Sequence, residues 1–111
     1  MCNVECSVEE PVFEYRIYDD YGVGVVAYAR VLRGEGWAEI KVINVNRDYR
    51  GRGIGSLLLA RIVDDHSGFT IVVETFKHLV NWYRRFNFEV ICENPMVMMR
   101  HPQNPSFQPL Q

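Results

Sequence analysis

The sequence predicts an α/β (α+β) fold: a mixed, mostly antiparallel sheet with a bulged central strand and two helices after it, in the order β-β-β-α-β-α-β-β. Three observations carry this. The first half holds apolar-alternating segments separated by turn residues. A glycine-rich stretch then leads directly into an amphipathic run of leucines and isoleucines. Beyond it, short β-branched or aromatic segments flank one further helical segment.

Phe13 to Tyr18 reads as a strand with Phe13, Tyr15 and Ile17 on one face. Asp19 to Gly22 is a turn, Val23 to Leu32 a second strand, and Arg33-Gly34-Glu35-Gly36 a hairpin connection. Trp37 to Val45 is a third strand with a fault in its pattern. Ala38, Ile40 and Val42 alternate on one face, and then Ile43 and Val45 continue with the opposite parity. A β-bulge after Val42 explains the flip most simply, and burial of both faces is the alternative. A helix runs from about Gly53 to Asp65, with Ile54, Leu58 and Ile62 as its apolar stripe. Phe69 to Thr75 is a buried strand, and His78 to Phe86 is a short helix. Phe88 to Cys92 and Met96 to Arg100 are strands turned by Glu93-Asn94-Pro95.

With 111 residues the chain reads as one domain, 1–111, with an ordered core at about 12–100. Residues 1–10 read as a loose leader, and the Pro- and Gln-rich tail 101–111 as unstructured. Twelve Lys and Arg against fourteen Asp and Glu give a net charge of −2, too balanced for nucleic-acid binding by bulk charge. No apolar run approaches the roughly 20 residues of a membrane span. No secretory leader is visible in MCNVECSVEEP, which points to the cytoplasm. Cys2 and Cys6 lie too far from other ligands for a metal site, and Cys92 is expected to be buried and inert. His66, beside Asp64 and Asp65 near the first helix's end, would suit the helix dipole as a cation and is given no catalytic role.

The stretch Asn46-Arg-Asp-Tyr-Arg-Gly-Arg-Gly-Ile-Gly-Ser56 carries the chemistry. Backbone N–H groups at a helix start have no internal acceptor, and the helix dipole adds partial positive charge. Glycines leave a phosphate free to approach those amides, and Arg50 and Arg52 add charge. The lysine of a nucleotide-binding P-loop is absent, and Ser56 stands where a dinucleotide fingerprint needs its third glycine.

Arg50-Gly51-Arg52-Gly53-Ile54-Gly55 resembles the Q/R-x-x-G-x-G/A motif of the GNAT superfamily of N-acetyltransferases. Trp82-Tyr83-Arg84-Arg85-Phe86-Asn87-Phe88 resembles the second half of that family's downstream pattern. The resemblance covers about residues 13 to 100. It implies that Arg50, Gly51, Arg52, Gly53, Ile54, Gly55 and Ser56 bind the pyrophosphate of acetyl-CoA. It also implies that Ile43 and Val45 pair their backbone with the pantetheine arm and acetyl carbonyl, with an N–H near Val45 as oxyanion donor. Tyr83 is then the general acid for the leaving thiolate, since a phenol with a pKa near ~10 stays protonated at neutral pH. Glu39 resembles the glutamate placed as base in the histone-acetylating branch, or it pairs with Lys41. No metal is implied.

Three departures stand out. Phe76 occupies the position of the family's asparagine, Asn87 that of a glycine, and the usual N-terminal strand and two helices have no counterpart before Phe13. The expected activity is acetyl transfer to a primary amine, on a small molecule or a protein lysine or N-terminus, by direct attack in a ternary complex. A non-catalytic acetyl-CoA-binding module that regulates a partner is the alternative. No membrane or direct nucleic-acid partner is expected. Exposed apolar surface and edge strands at Phe13 or Met96–Arg100 suggest a homodimer.

Overall fold

The computed structural model describes residues 3–93 and 96–102. Alternation of apolar and polar side chains builds its first four strands, a meander in which each strand pairs antiparallel with the next. β1 (Val4–Glu9) and β2 (Val12–Tyr18) form a hairpin across Glu10-Pro11. β3 (Val25–Arg33) and β4 (Trp37–Val45) follow. α1 (Ile54–Asp65) then carries the chain to β5 (Thr70–Thr75), which pairs parallel with β4. A turn at Lys77–Leu79 enters α2 (Val80–Arg84), and β6 (Glu89–Cys92) and β7 (Val97–His101) complete the sheet. Its order is β1-β2-β3-β4-β5-β7-β6.

The core lies on one face of this sheet. Tyr15, Ile17, Ala29, Val31, Ala38, Ile71 and Met99 point to it from successive strands, and Leu58, Leu59 and Ile62 of α1 and Tyr83 of α2 close it. Each fully buried aliphatic side chain contributes about 1.5–3 kcal/mol by leaving water. The i, i+4 stripe of α1 therefore does far more to hold that helix than its intrinsic propensity.

The opposite face carries Glu14, Arg16, Tyr28, Arg30, Glu39, Glu74 and Arg100, all half-buried or exposed. These side chains partner one another. Tyr28 donates to Glu14, Tyr18 to Glu5 at 3.3 Å, and Arg100 Nε to Glu89 at 2.9 Å. Among the described residues no helix covers this face. Trp37 and Val42, each 41% exposed, place apolar surface on this face. The two edge strands expected from the sequence are not at the edges: Phe13 lies on β2, between β1 and β3, and Met96–Arg100 overlaps β7, between β5 and β6. The edges are β1 and β6.

Three further expectations are corrected. Residues 4–9 are not a loose leader but a strand in register with β2, from Val4↔Ile17 to Glu9↔Val12. The N-terminal strand is thus present, and a two-residue turn stands where the resemblance implied two helices. Cys92 is exposed rather than buried, on the edge strand β6. His66 is wholly buried and is no cation. Burial, with the Arg33 guanidinium, pushes its ring down to about 4, against the opposing pull of Asp65. The Tyr15 hydroxyl lies 3.0 Å from Asp65 Oδ2 and 3.0 Å from His66 Nε2. One phenolic proton serves one acceptor, and the carboxylate takes it. Nε2 therefore carries the ring proton and donates to the Tyr15 oxygen, leaving Nδ1 a buried acceptor without a partner. Cys2, the turn residues Asn94 and Pro95, and tail residues 103–111 lie outside the described residues.

The bulge is present, one residue earlier than the parity flip suggested. Arg30 pairs with Val42, but Val31 pairs with Ile40, so Lys41 is the extra residue. Val42 consequently turns to the polar face, 41% exposed, while Ile43 and Val45 return toward the helices. Pairing between β4 and β5 stops at Ile40↔Val73, and past that point the two strands part.

Candidate functional site

A cleft of about 630 Å³ opens where β4 and β5 diverge, and it is walled by Ile43, Asn44, Val45, Phe76, His78, Leu79, Trp82 and Tyr83. The glycine loop closes one end through Arg50, Gly51 and Gly55. A helical turn at Arg47–Tyr49 starts that loop, with Asn46 Oδ1 accepting from the Asp48 amide at 3.1 Å. Arg50 Nε donates to the Val45 carbonyl at 2.9 Å, fastening the loop to the strand end. Val45 O therefore points away from β3, and by the period-two alternation the Ile43 backbone groups point the same way, into the gap beside β5.

Gly51 and Gly53 both adopt φ +79°, a left-handed conformation that disfavours a Cβ. Among the described residues nothing lies within 4 Å of the position a Cβ would take at either. Packing does not explain these glycines; their backbone angle and the open space above them do. Gly53 caps α1 without a side-chain hydrogen bond, and no acidic residue sits in the first turn. The first helical bond runs from Leu57 N to Gly53 O at 3.0 Å, so the amides of Ile54, Gly55 and Ser56 have no acceptor within the helix. These are the donors an anion needs. At Gly55 a Cβ would touch Trp82 at 3.4 Å and Val45 at 3.5 Å, which makes this glycine the pinch between α1, α2 and β4.

A second cavity of about 220 Å³ adjoins the cleft. Ile43, Phe76, Leu79 and Tyr83 line both, so the two cavities abut where the strands part. On the polar face the rim of the second carries Lys41 and Glu74. Tyr83, shared by both walls, is only 2% exposed and packed edge-on against Trp82 and Phe88. Burial pushes its phenol up to about 12, partly offset by a hydrogen bond with Thr75. It is a proton donor throughout the neutral range.

Of the residues singled out from the sequence, Ile43, Val45, Arg50, Gly51, Gly55 and Tyr83 meet at the cleft. Gly53 and Ser56 flank it at the helix start. The Ile54 side chain is buried in the core, so only its amide is available. Arg52 turns to the loop itself, reaching Asp48 O at 3.3 Å and stacking over Tyr49. Glu39 lines neither cavity, and its carboxylate pairs with Lys41 Nζ at 3.5 Å. Sequence reasoning missed Thr75, Glu74, Lys41 and the aromatic wall of Phe76 and Trp82. Their relevance follows from the end of β4–β5 pairing, which only a register can reveal. Among the described residues no group of three or more His, Cys, Asp or Glu side chains could hold a metal, and no helix is long and apolar enough to cross a membrane.

Comparisons with known proteins bear on the family and the fold. Residues 13–90 match the family model described as an acetyltransferase (GNAT) domain. The ribosomal-protein-S18-alanine N-acetyltransferase of Escherichia coli superposes with a TM-score of 0.78 at 18% identity, over 87% of this chain and 72% of that one. Escherichia coli ElaA superposes at 0.74 with 21% identity, over 86% and 71%. An acyl-CoA N-acyltransferase from Pseudomonas aeruginosa superposes at 0.71 with 23% identity, over 86% and 70%. A comparison with curated proteins finds no match. The bulged fourth strand, the glycine-capped helix and the family match together establish that the chain belongs to the GNAT acetyltransferase family.

Proposed function

We propose that the chain is an acetyl-CoA-dependent N-acetyltransferase, moving an acetyl group to a primary amine by direct attack in a ternary complex. One observation carries this reading: two adjoining cavities share Tyr83 in their walls, one reaching the glycine loop and the other the open polar face. Acetyl-CoA serves as co-substrate and supplies the activated thioester.

In this reading the amides of Gly53 to Ser56, with Arg50 and Arg52 nearby, receive the pyrophosphate. The backbone of Ile43 and Val45 aligns the pantetheine arm as an added strand would, and an amide beside Val45 faces the developing oxyanion. Tyr83 gives its proton to the departing thiolate. The acceptor amine enters from the polar face, past Glu74. Glu39, spent on Lys41, acts one step removed by neutralising that lysine, and Glu74 is the better placed carboxylate to take the amine's proton. The chemistry fits the cytoplasm, where acetyl-CoA is available.

The test is acetyl transfer from acetyl-CoA to a panel of amines: a lysine peptide, a peptide with a free N-terminal alanine, spermidine and glucosamine. Tyr83→Phe should lower turnover by about 10²–10⁴-fold with unchanged acetyl-CoA affinity. Binding without transfer to any acceptor, and without an effect of Tyr83→Phe, would favour the regulatory module.

A further inference from the structure

The cavity on the far side of Tyr83 is larger than an acetyl group requires. Its 220 Å³ corresponds to about seven waters at ~30 Å³ each, whereas an acetyl group is three heavy atoms beyond the sulfur. Its two ends differ in character. The outer rim holds the exposed Lys41 and Glu74. The inner wall is built from Ile40 and Val73, each 3% exposed, with Ile43, Leu79 and Phe76 beside them. The inner wall's two hydroxyls are those of Thr75 and Tyr83. Among the described residues the only buried polar side-chain atom without a partner is His66 Nδ1, which belongs to neither cavity. The inner end thus offers mainly aliphatic surface beside those two hydroxyls.

We infer that this inner end is an acyl-chain site, and that the protein takes thioesters of short straight-chain aliphatic acids such as propionyl and butyryl, binding them more tightly than acetyl. The inference rests on the acyl-CoA reading of the cleft. An added methylene passes from water onto the wall formed by Ile40, Val73 and Phe76, and should tighten binding about fourfold, the equivalent of about 0.8 kcal/mol. An acyl group ending in a carboxylate gains nothing there. It would bring a charge onto a wall with no cation at its inner end, so succinyl is disfavoured relative to butyryl.

Calorimetric titration of the whole chain with CoA, acetyl-, propionyl-, butyryl- and succinyl-CoA tests this without knowledge of the acceptor. The expected order is butyryl tightest, about sixteenfold over acetyl, with succinyl weaker than butyryl. Val42→Phe supplies the control. Val42 lines the cavity from the exposed side, so a phenylalanine should fill the space without disturbing the core. It should erase the butyryl advantage and leave the CoA and acetyl-CoA affinities as they were. Affinities that are flat or fall from acetyl to butyryl would overturn the inference. So would succinyl binding as tightly as butyryl, or an advantage that survives Val42→Phe. Failure of CoA itself to bind would instead mark failure of the acyl-CoA reading, and this inference would fall with it.

Discussion

Gly53→Asn separates what the glycine loop does for the fold from what it does for the ligand. Gly53 sits at φ +79° with nothing among the described residues within 4 Å of where a Cβ would stand. Strain is therefore the only cost to the protein. A left-handed conformation costs an ordinary residue about 1–2 kcal/mol, and asparagine less, because its side chain bonds locally. Asparagine is also accepted at helix N-caps, where Gly53 stands without a side-chain bond of its own. The net loss should stay below ~1 kcal/mol, less than about 8 °C in Tm for a domain of this size. The ligand meets a different surface. The asparagine side chain would rise into the open space above the amides of Ile54 to Ser56. If it displaces two charge-assisted hydrogen bonds to phosphate, each worth about 1.5–3 kcal/mol, affinity for CoA falls by about 10²–10⁴-fold. Thermal melting by circular dichroism and calorimetric titration with CoA read the two quantities separately. A Gly53→Asn protein that melts normally and binds CoA as tightly as the parent would refute the placement of the pyrophosphate.

Other consequences follow from named contacts. His66, held near 4 when folded against about 6.5 unfolded, binds its proton more readily in the unfolded chain. Its contribution to stability is fully present above about pH 6.5 and is lost as pH falls toward 4, by on the order of 3 kcal/mol; denaturant melts at pH 7 and 4.5 should show the loss, and His66→Asn should flatten it. Tyr15→Phe removes the buried hydroxyl that serves both Asp65 and His66. It should destabilise by about 1–3 kcal/mol without changing CoA affinity, read by the same two assays. Glu74→Gln should lower amine acetylation by about 10²-fold or more near neutral pH, whereas Glu39→Gln should act weakly through Lys41; kcat/KM across pH 6–9 distinguishes them.

Much of this fold is legible from periodicity alone. The span Trp37–Val45 coincides with β4, and the leucine stripe marks α1 to within one residue. The parity change around Val42 reveals a bulge, but parity cannot say which of two adjacent residues is extra. Pairing with β3 settles it as Lys41. β1 carries a readable alternation in Val4, Cys6 and Val8, masked by Glu5 and Glu9 within it and Glu10 in the turn that follows. Where each strand sits in the sheet is non-local, so the edges and the fate of Cys92 are out of reach of periodicity. The site divides the same way. Contiguous residues, the loop and Tyr83, announce themselves through spacing. Thr75, Phe76 and Glu74 join them only because β5 stops pairing with β4 after Val73. The burial of His66 depends on the nearby Phe69 and on Phe13 and Tyr15, whose contacts reach back across some fifty residues of chain to β2.

Titration of the purified protein with acetyl-CoA, alongside CoA, tests the central claim most directly. The cleft between β4 and β5, closed by free amides at the start of α1, predicts saturable one-to-one binding of both in the micromolar range. An absence of heat and of any thermal stabilisation at millimolar ligand would contradict it.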